Sequence, residues 1–241
     1  MLSKFRTENW SNLNIGERYK ALQEIEHALA EEQGRYERQI QLRHFDIDED
    51  GVTLGEYDSN SSKIYINEDF LTDKNVYFNQ YFNQYHALCN ICHEGRHAYQ
   101  HDTMNENKVF EHNLCGGYQN DPRPDYRFQP IEDDAYNYAG KKMKEFSFAF
   151  EGDPVFAKYQ KDNELVNRAD VRAAEAQYGE NYREEIQLKV ERDYLASQQS
   201  AIQYNDSLNA SASQEQSASV EHDKSAYEFD TQSIAAAGQS Y

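Results

Sequence analysis

What this chain lacks narrows its reading first. No apolar run approaches the roughly 18 residues that a membrane-crossing helix needs. The opening MLSKFRTENW has no apolar stretch of the kind a Sec-type signal peptide carries. The expected location is therefore cytoplasmic, or outside after export without such a signal. Cysteine is scarce and odd in number: Cys89, Cys92 and Cys115 offer no framework for a disulfide scaffold. Cys89 and Cys92 form a C-x-x-C, but no second pair accompanies it to complete a zinc ribbon, and both read more simply as small buried hydrophobes. Basic residues are also few, 24 against 43 acidic ones, for a net charge of −19. Such a balance argues against nucleic acid and anionic membrane surfaces as partners. Hydrophobic residues make up only 38% of the 241, so a core is expected over part of the chain, supplied in bulk by 19 Tyr and 12 Phe.

Against these absences stands one dense stretch, Ile91-Cys92-His93-Glu94-Gly95-Arg96-His97-Ala98-Tyr99-Gln100. It contains His-Glu-x-x-His. On a helix, residues four apart share a face one turn apart, so the imidazoles of His93 and His97 can reach one Zn²⁺ at about 2.0–2.1 Å. Glu94 lies about 100° round the same helix, beside the ion and not on it, where its carboxylate can act as general base toward a metal-activated water. This is the zinc-peptidase signature.

A catalytic zinc needs a third protein ligand. His101 and His86 extend the stripe in either direction, but each lies too far along a continuous helix from the opposite histidine to share one ion. The metzincin extension is absent, because Gln100 and Thr103 occupy its glycine and histidine positions. The third ligand is therefore expected on a separate helix. Beyond the rigid Asp121-Pro122-Arg123-Pro124, a helix start is legible at Pro130, with acids in its first turn. Glu132, Ala135 and Ala139 share a face there, and the small residues would let this helix lie close to the first with Glu132 aimed at the metal. Asp133, shorter and about 100° away, is the runner-up. Helix-dipole service by these acids is the plainer alternative.

His93-Glu94-x-x-His97 followed by Glu132-x-x-Ala135-x-x-Tyr138-Ala139 resembles the gluzincin group of zinc peptidases, and within it the ImmA/IrrE-type peptidases, whose second motif resembles Glu-x-x-Ala-Asn-x-Phe-Ala. Tyr136 stands where that family usually has Asn. The resemblance covers about residues 15–150 and implies a zinc endopeptidase acting on protein or peptide, with His93, His97 and Glu132 as ligands and Glu94 as base. The alternative is a catalytically silent zincin-fold binding module of a toxin or mobile-element system. For the oxyanion of such a reaction, Tyr126, His112 and Tyr136 are candidates, none singled out by spacing.

The remaining elements imply an α+β class: a minimal zincin-like domain with a small antiparallel sheet packed on the active-site helix and a third-ligand helix. Residues 1–150 form this domain, 151–203 a charged helical extension, and 204–241 a Ser/Gln/Ala-rich acidic tail expected to be disordered. Within the domain, Asn14 and Glu17 form a capping box for a helix from Ile15 toward Ile40, with Gly34 as its end or interruption. A strand is expected over Gln41–Phe45 and a hairpin over Val52–Phe70, whose second arm, Lys63–Asn67, would run as an edge strand beside the metal helix and take extended peptide by strand addition. The aromatic residues from Asp73 to Gln84 are expected to lead into the metal helix. Asp46, Asp48, Asp50 and Gly51 open like a calcium loop, but Tyr57 occupies the position of its bidentate Glu, so a solvated acidic turn is the favoured reading.

Overall fold

The computed structural model describes residues 1–45, 47–48, 51–72, 83–119 and 124–237, with side chains described up to residue 209 except at 47–48 and 51–52. Most of the chain is helical, with a small mixed sheet. Residues Met1–Arg192 form one compact unit and Asp193–Tyr241 a second.

After a short α1 (Thr7–Trp10), helix α2 (Ile15–Gln33) begins at the expected box. The Glu17 backbone N–H donates to Asn14 Oδ1 at 3.0 Å, and the Asn14 N–H donates to Glu17 Oε2 at 2.9 Å. The helix ends at Gly34, whose φ of +67° is the left-handed conformation glycine adopts without steric cost. Termination there frees the following residues for β1 (Gln39–Arg43), two residues earlier than the spacing suggested. Ala21, Leu22, Ile25 and Leu29 recur at helical spacing and are buried.

Strands β4 (Gly55–Asp58) and β5 (Lys63–Asn67) form an antiparallel hairpin, with its first arm starting at Gly55 and not at Val52. Val52 belongs to a separate two-stranded ribbon, β2 (Ile47–Asp48) with β3 (Gly51–Val52). Asp58 closes the hairpin turn by accepting from the Asn60 N–H and Ser61 Oγ. Because the chain reverses at this turn, β5 returns parallel to β1, and the sheet order is β1-β5-β4. Two expectations change. The sheet is mixed, not antiparallel, and Lys63–Asn67 is its central strand, with both flanks already paired, so it has no free edge to offer a peptide. Central placement suits it: Ile64 and Ile66 are fully buried, as is Ile40 beside them.

Helix α3 (Gln84–Thr103) carries the His-Glu-x-x-His stretch. Asn83 caps it, accepting from the Tyr85 N–H at 3.0 Å. The expected lead-in falls within residues 73–82, which lie outside the described residues, as do Asp46 and Asp50 of the calcium-like run. Tyr85, Ala87, Leu88, Ile91 and Cys92 bury one face of α3 against α2 and the sheet. The next helices are α4 (Lys108–Leu114), α5 (Asp125–Phe128) and α6 (Pro130–Phe146). Pro130 takes the first helical position of α6, where its missing N–H costs nothing. The next free N–H, that of Ile131, donates to the buried Asn113 Oδ1 of α4 at 3.1 Å. Ala135 and Ala139 are buried, and across them α6 lies on α3.

Helix α7 (Pro154–Tyr178) sends Phe156 and Tyr159 into the same core, so the compact unit continues past residue 150. A satellite cluster of Phe128, Ala174, Tyr182 and Ile186 holds the start of α8 (Tyr182–Ala237). Helix α8 runs on to Ala237. No proline or glycine interrupts it, and a helix satisfies most of its backbone within itself. No helix among the described residues is long and apolar enough to cross a membrane.

One carboxylate ties three segments together. Asp153 caps α7 by accepting from the Val155 and Phe156 N–H groups, and also accepts from Thr7 N and Oγ1 and, at 2.7 Å, from Tyr85 Oη. Burial alone would raise its pKa, but these donors outweigh burial and hold it below the ordinary value of 3.8. A depressed carboxylate stabilises the fold above its unfolded pKa and loses that contribution as pH falls through the lower folded value. Asp153→Asn is expected to lower unfolding free energy at pH 7 by about 1–3 kcal/mol. It should also flatten the loss of stability below pH 4, as read by urea titration across pH.

Candidate metal centre

The two histidines of α3 face each other as their spacing requires. Their rings meet edge to face, with centroids 4.6 Å apart, and their Nε2 atoms are 3.0 Å apart. From the first turn of α6, Glu132 reaches both: Oε2 lies 3.2 Å from His93 Nε2 and Oε1 lies 3.5 Å from His97 Nε2. The three residues each offer a ligand atom within 4.8 Å of the others. Glu132 is 2% exposed, and the histidines are largely buried.

This donor set fits a metal ion. Four ligands at about 2.0–2.1 Å from a tetrahedral ion lie about 3.3–3.4 Å from one another, and here the imidazole nitrogens are 3.0 Å apart, with one carboxylate oxygen 3.2 Å from His93 and the other 3.5 Å from His97. Glu132 Oε2 is also buried without a hydrogen-bond partner, an oxygen for which an ion supplies the missing interaction. The cluster could therefore hold a metal ion.

Without one, the group is an ion pair. Burial works against charge on His97, but Glu132 outweighs it and raises the imidazole to about 9. Burial likewise opposes charge on Glu132, and His97 and His93 outweigh it, holding the carboxyl far below its ordinary value. Glu94 is 5% exposed and behaves oppositely: burial raises its pKa, with the two histidines opposing and Glu132 adding to the rise. The backbone of Tyr57 in β4, the outer strand of the sheet that packs on α3, acts against that rise.

Asp133 does not join the cluster. It turns to Arg127 at 3.1 Å and Arg183 at 2.8 Å. His101 lies against the Tyr57 ring, and His86 caps its own helix against Tyr159, its pKa pushed down to about 4 by burial. Cys89 and Cys92 are free, and burial pushes both thiols up, favouring the protonated form over the thiolate that metal and redox chemistry need. Arg96 spans to α6, with Nε and Nη2 on Asp134 at 2.7 and 3.1 Å and its guanidinium over Tyr99 and Tyr138. Of the three oxyanion candidates, Tyr136 lies edge-on to His93 at 4.5 Å, Tyr126 meets the Tyr118 ring at 6.2 Å, and His112 sits on α4.

Two residues at the site escaped the sequence reading. The Tyr118 hydroxyl donates to Glu132 Oε1 at 3.1 Å. It follows Gly116-Gly117 in a connection with no periodicity, so no local signal marked it. Gln100, whose Oε1 lies 2.8 Å from His97 Nδ1, was legible in principle as the i+3 neighbour of a ligand.

The glycine inside the motif has a packing reason. A Cβ at Gly95 would stand 2.7 Å from Arg35 Nη2 and 3.1 Å from Glu26 Oε2. Those two groups form a buried ion pair of α2 and its C-terminal loop, with side chains 2% and 0% exposed, and Glu26 also accepts from the Arg38 N–H. Gly95→Ala is expected to cost about 1–3 kcal/mol by overpacking, and Arg35→Leu about 3–5 kcal/mol by stranding the Glu26 carboxylate, both read by chemical denaturation. Against protein-family models, curated proteins and solved structures, the chain finds no match.

Proposed function

We propose that this chain is a zinc-dependent metallopeptidase. The observation that carries the reading is the convergence of His93, His97 and Glu132 from two separate helices on one point, with a buried carboxylate, Glu94, alongside. The resemblance of both motifs to the gluzincin, ImmA/IrrE-type pattern points the same way. Zinc bound there would supply a Lewis acid that polarises the scissile carbonyl and lowers the pKa of water to about 7.

The protein's own groups do the rest. His93, His97 and the Glu132 carboxylate would hold the ion. Glu94 accepts the proton of the attacking water and delivers it to the departing amine nitrogen as the C–N bond breaks. The developing oxyanion needs a donor, and we assign Tyr118, whose hydroxyl already stands against a ligand oxygen. The substrate is an extended protein or peptide. With Lys63–Asn67 enclosed, β4, the outer strand packed on α3, is the strand it would lie along.

Metal analysis after purification is expected to find about one zinc per chain in the wild type and little in His97→Ala or Glu132→Ala. Glu94→Gln should keep its zinc and lose peptide cleavage by several orders of magnitude; cleavage at the wild-type rate would exclude Glu94 as base. Tyr118→Phe should keep zinc and KM while kcat drops about 10²-fold. A zinc-loaded wild type that cleaves no peptide in a degenerate library would favour a binding module instead.

A further inference from the structure

We propose that Gln100 is the positioning residue of this centre: it sets the ring nitrogen that His97 presents to a metal ion and fixes α6 in register with α3. The inference rests on the metal-centre reading above.

Gln100 is 1% exposed, and its whole amide is engaged. Its Nε2 donates to the Ile131 carbonyl at 2.8 Å and to Asp134 Oδ2 at 2.7 Å. Both of those partners are acceptors, so the two amide hydrogens are committed to them. A flipped amide would set its oxygen against a carbonyl and a carboxylate, which decides the orientation. Oε1 therefore faces His97 Nδ1, at 2.8 Å. A carbonyl oxygen only accepts, so Nδ1 carries the proton. In a neutral imidazole the lone pair is then on Nε2, the atom that points at His93 and Glu132.

The same amide does mechanical work. Ile131 is the residue before Glu132, so one hydrogen bond ties the backbone of the third ligand to the partner of the second. Asp134, the other acceptor, is gripped by Arg96 from α3. Arg96, Asp134, Gln100 and His97 thus form a closed chain across the helix pair that holds the ligands.

The choice of an amide follows. Carboxylates commonly support metal-bound histidines, but a carboxylate at position 100 would stand against Asp134 and the Ile131 carbonyl with no hydrogen to offer either. Glutamine accepts on one side and donates on the other.

The test compares Zn²⁺ affinity of wild type and Gln100→Met, by chelator competition, with Co²⁺ absorption spectra and imidazole ¹⁵N resonances of the zinc forms. Gln100→Met keeps the side chain's length and removes its polar atoms. We expect its Zn²⁺ Kd to rise about 10–100-fold, with an altered Co²⁺ spectrum and unchanged far-ultraviolet circular dichroism. In zinc-loaded wild type, His97 should bind through Nε2 and keep an exchange-protected Nδ1 proton in contact with the Gln100 side chain. Equal Kd values, or wild-type His97 binding through Nδ1, would overturn the inference while leaving the metal centre intact; the resonance measurement decides even if the variant does not fold. A wild type that binds neither Zn²⁺ nor Co²⁺ would overturn the metal centre itself.

Discussion

Two imidazoles and a carboxylate brought within 3.5 Å of one another in a largely buried site are the constraint on which the rest of this structure turns. Charge and lone pairs so placed are costly unless something positive sits among them. A proton on His97 meets part of that demand, which is why Glu132 raises its pKa to about 9. It leaves Glu132 Oε2 without a hydrogen-bond donor. A divalent cation satisfies all three groups at once, and its binding would displace that proton.

Holding such a cluster requires two rigid elements at close range. Buried alanines on α6 let it approach α3, and Asn113 and Pro130 settle where α6 begins. On the other face of α3, Gly95 leaves room for the Glu26–Arg35 pair of α2 and the loop that follows it. Helix α3 is thus clamped from both sides, by a polar network toward α6 and a buried ion pair toward α2. At its N-terminal end, Tyr85 joins Thr7 and α7 through Asp153. Each contact comes from a different part of the chain, and all converge on one helix.

The enclosed strand and the long last helix show the same physics from the opposite side. Lys63–Asn67 alternates as a half-exposed strand would, yet pairing on both flanks makes it central. Residues 204–237 are rich in Ser, Gln and Ala, and α8 runs through them to Ala237. Hydropathy reports which surface wants burial. It does not report strand order, and a helix needs no core to satisfy its own backbone.

The site was legible wherever it depended on local geometry. Four-residue spacing puts His93 and His97 on one face whatever else the chain does, and the Pro130 start with Ala135 and Ala139 marked a helix able to lie against them. Capping at Asn14 and termination at Gly34 were legible for the same reason: each is decided within a turn or two of backbone. Helix geometry ranked Glu132 ahead of Asp133; what Asp133 turns to instead, Arg127 and Arg183, comes from elsewhere in the chain and left no such signal. Tyr118, the Gly95 packing and the central position of β5 likewise involve partners distant in the chain. Local periodicity determined which side chains share a face; only the packed structure decided what each face meets, because contacts between remote segments leave no spacing in the sequence to read.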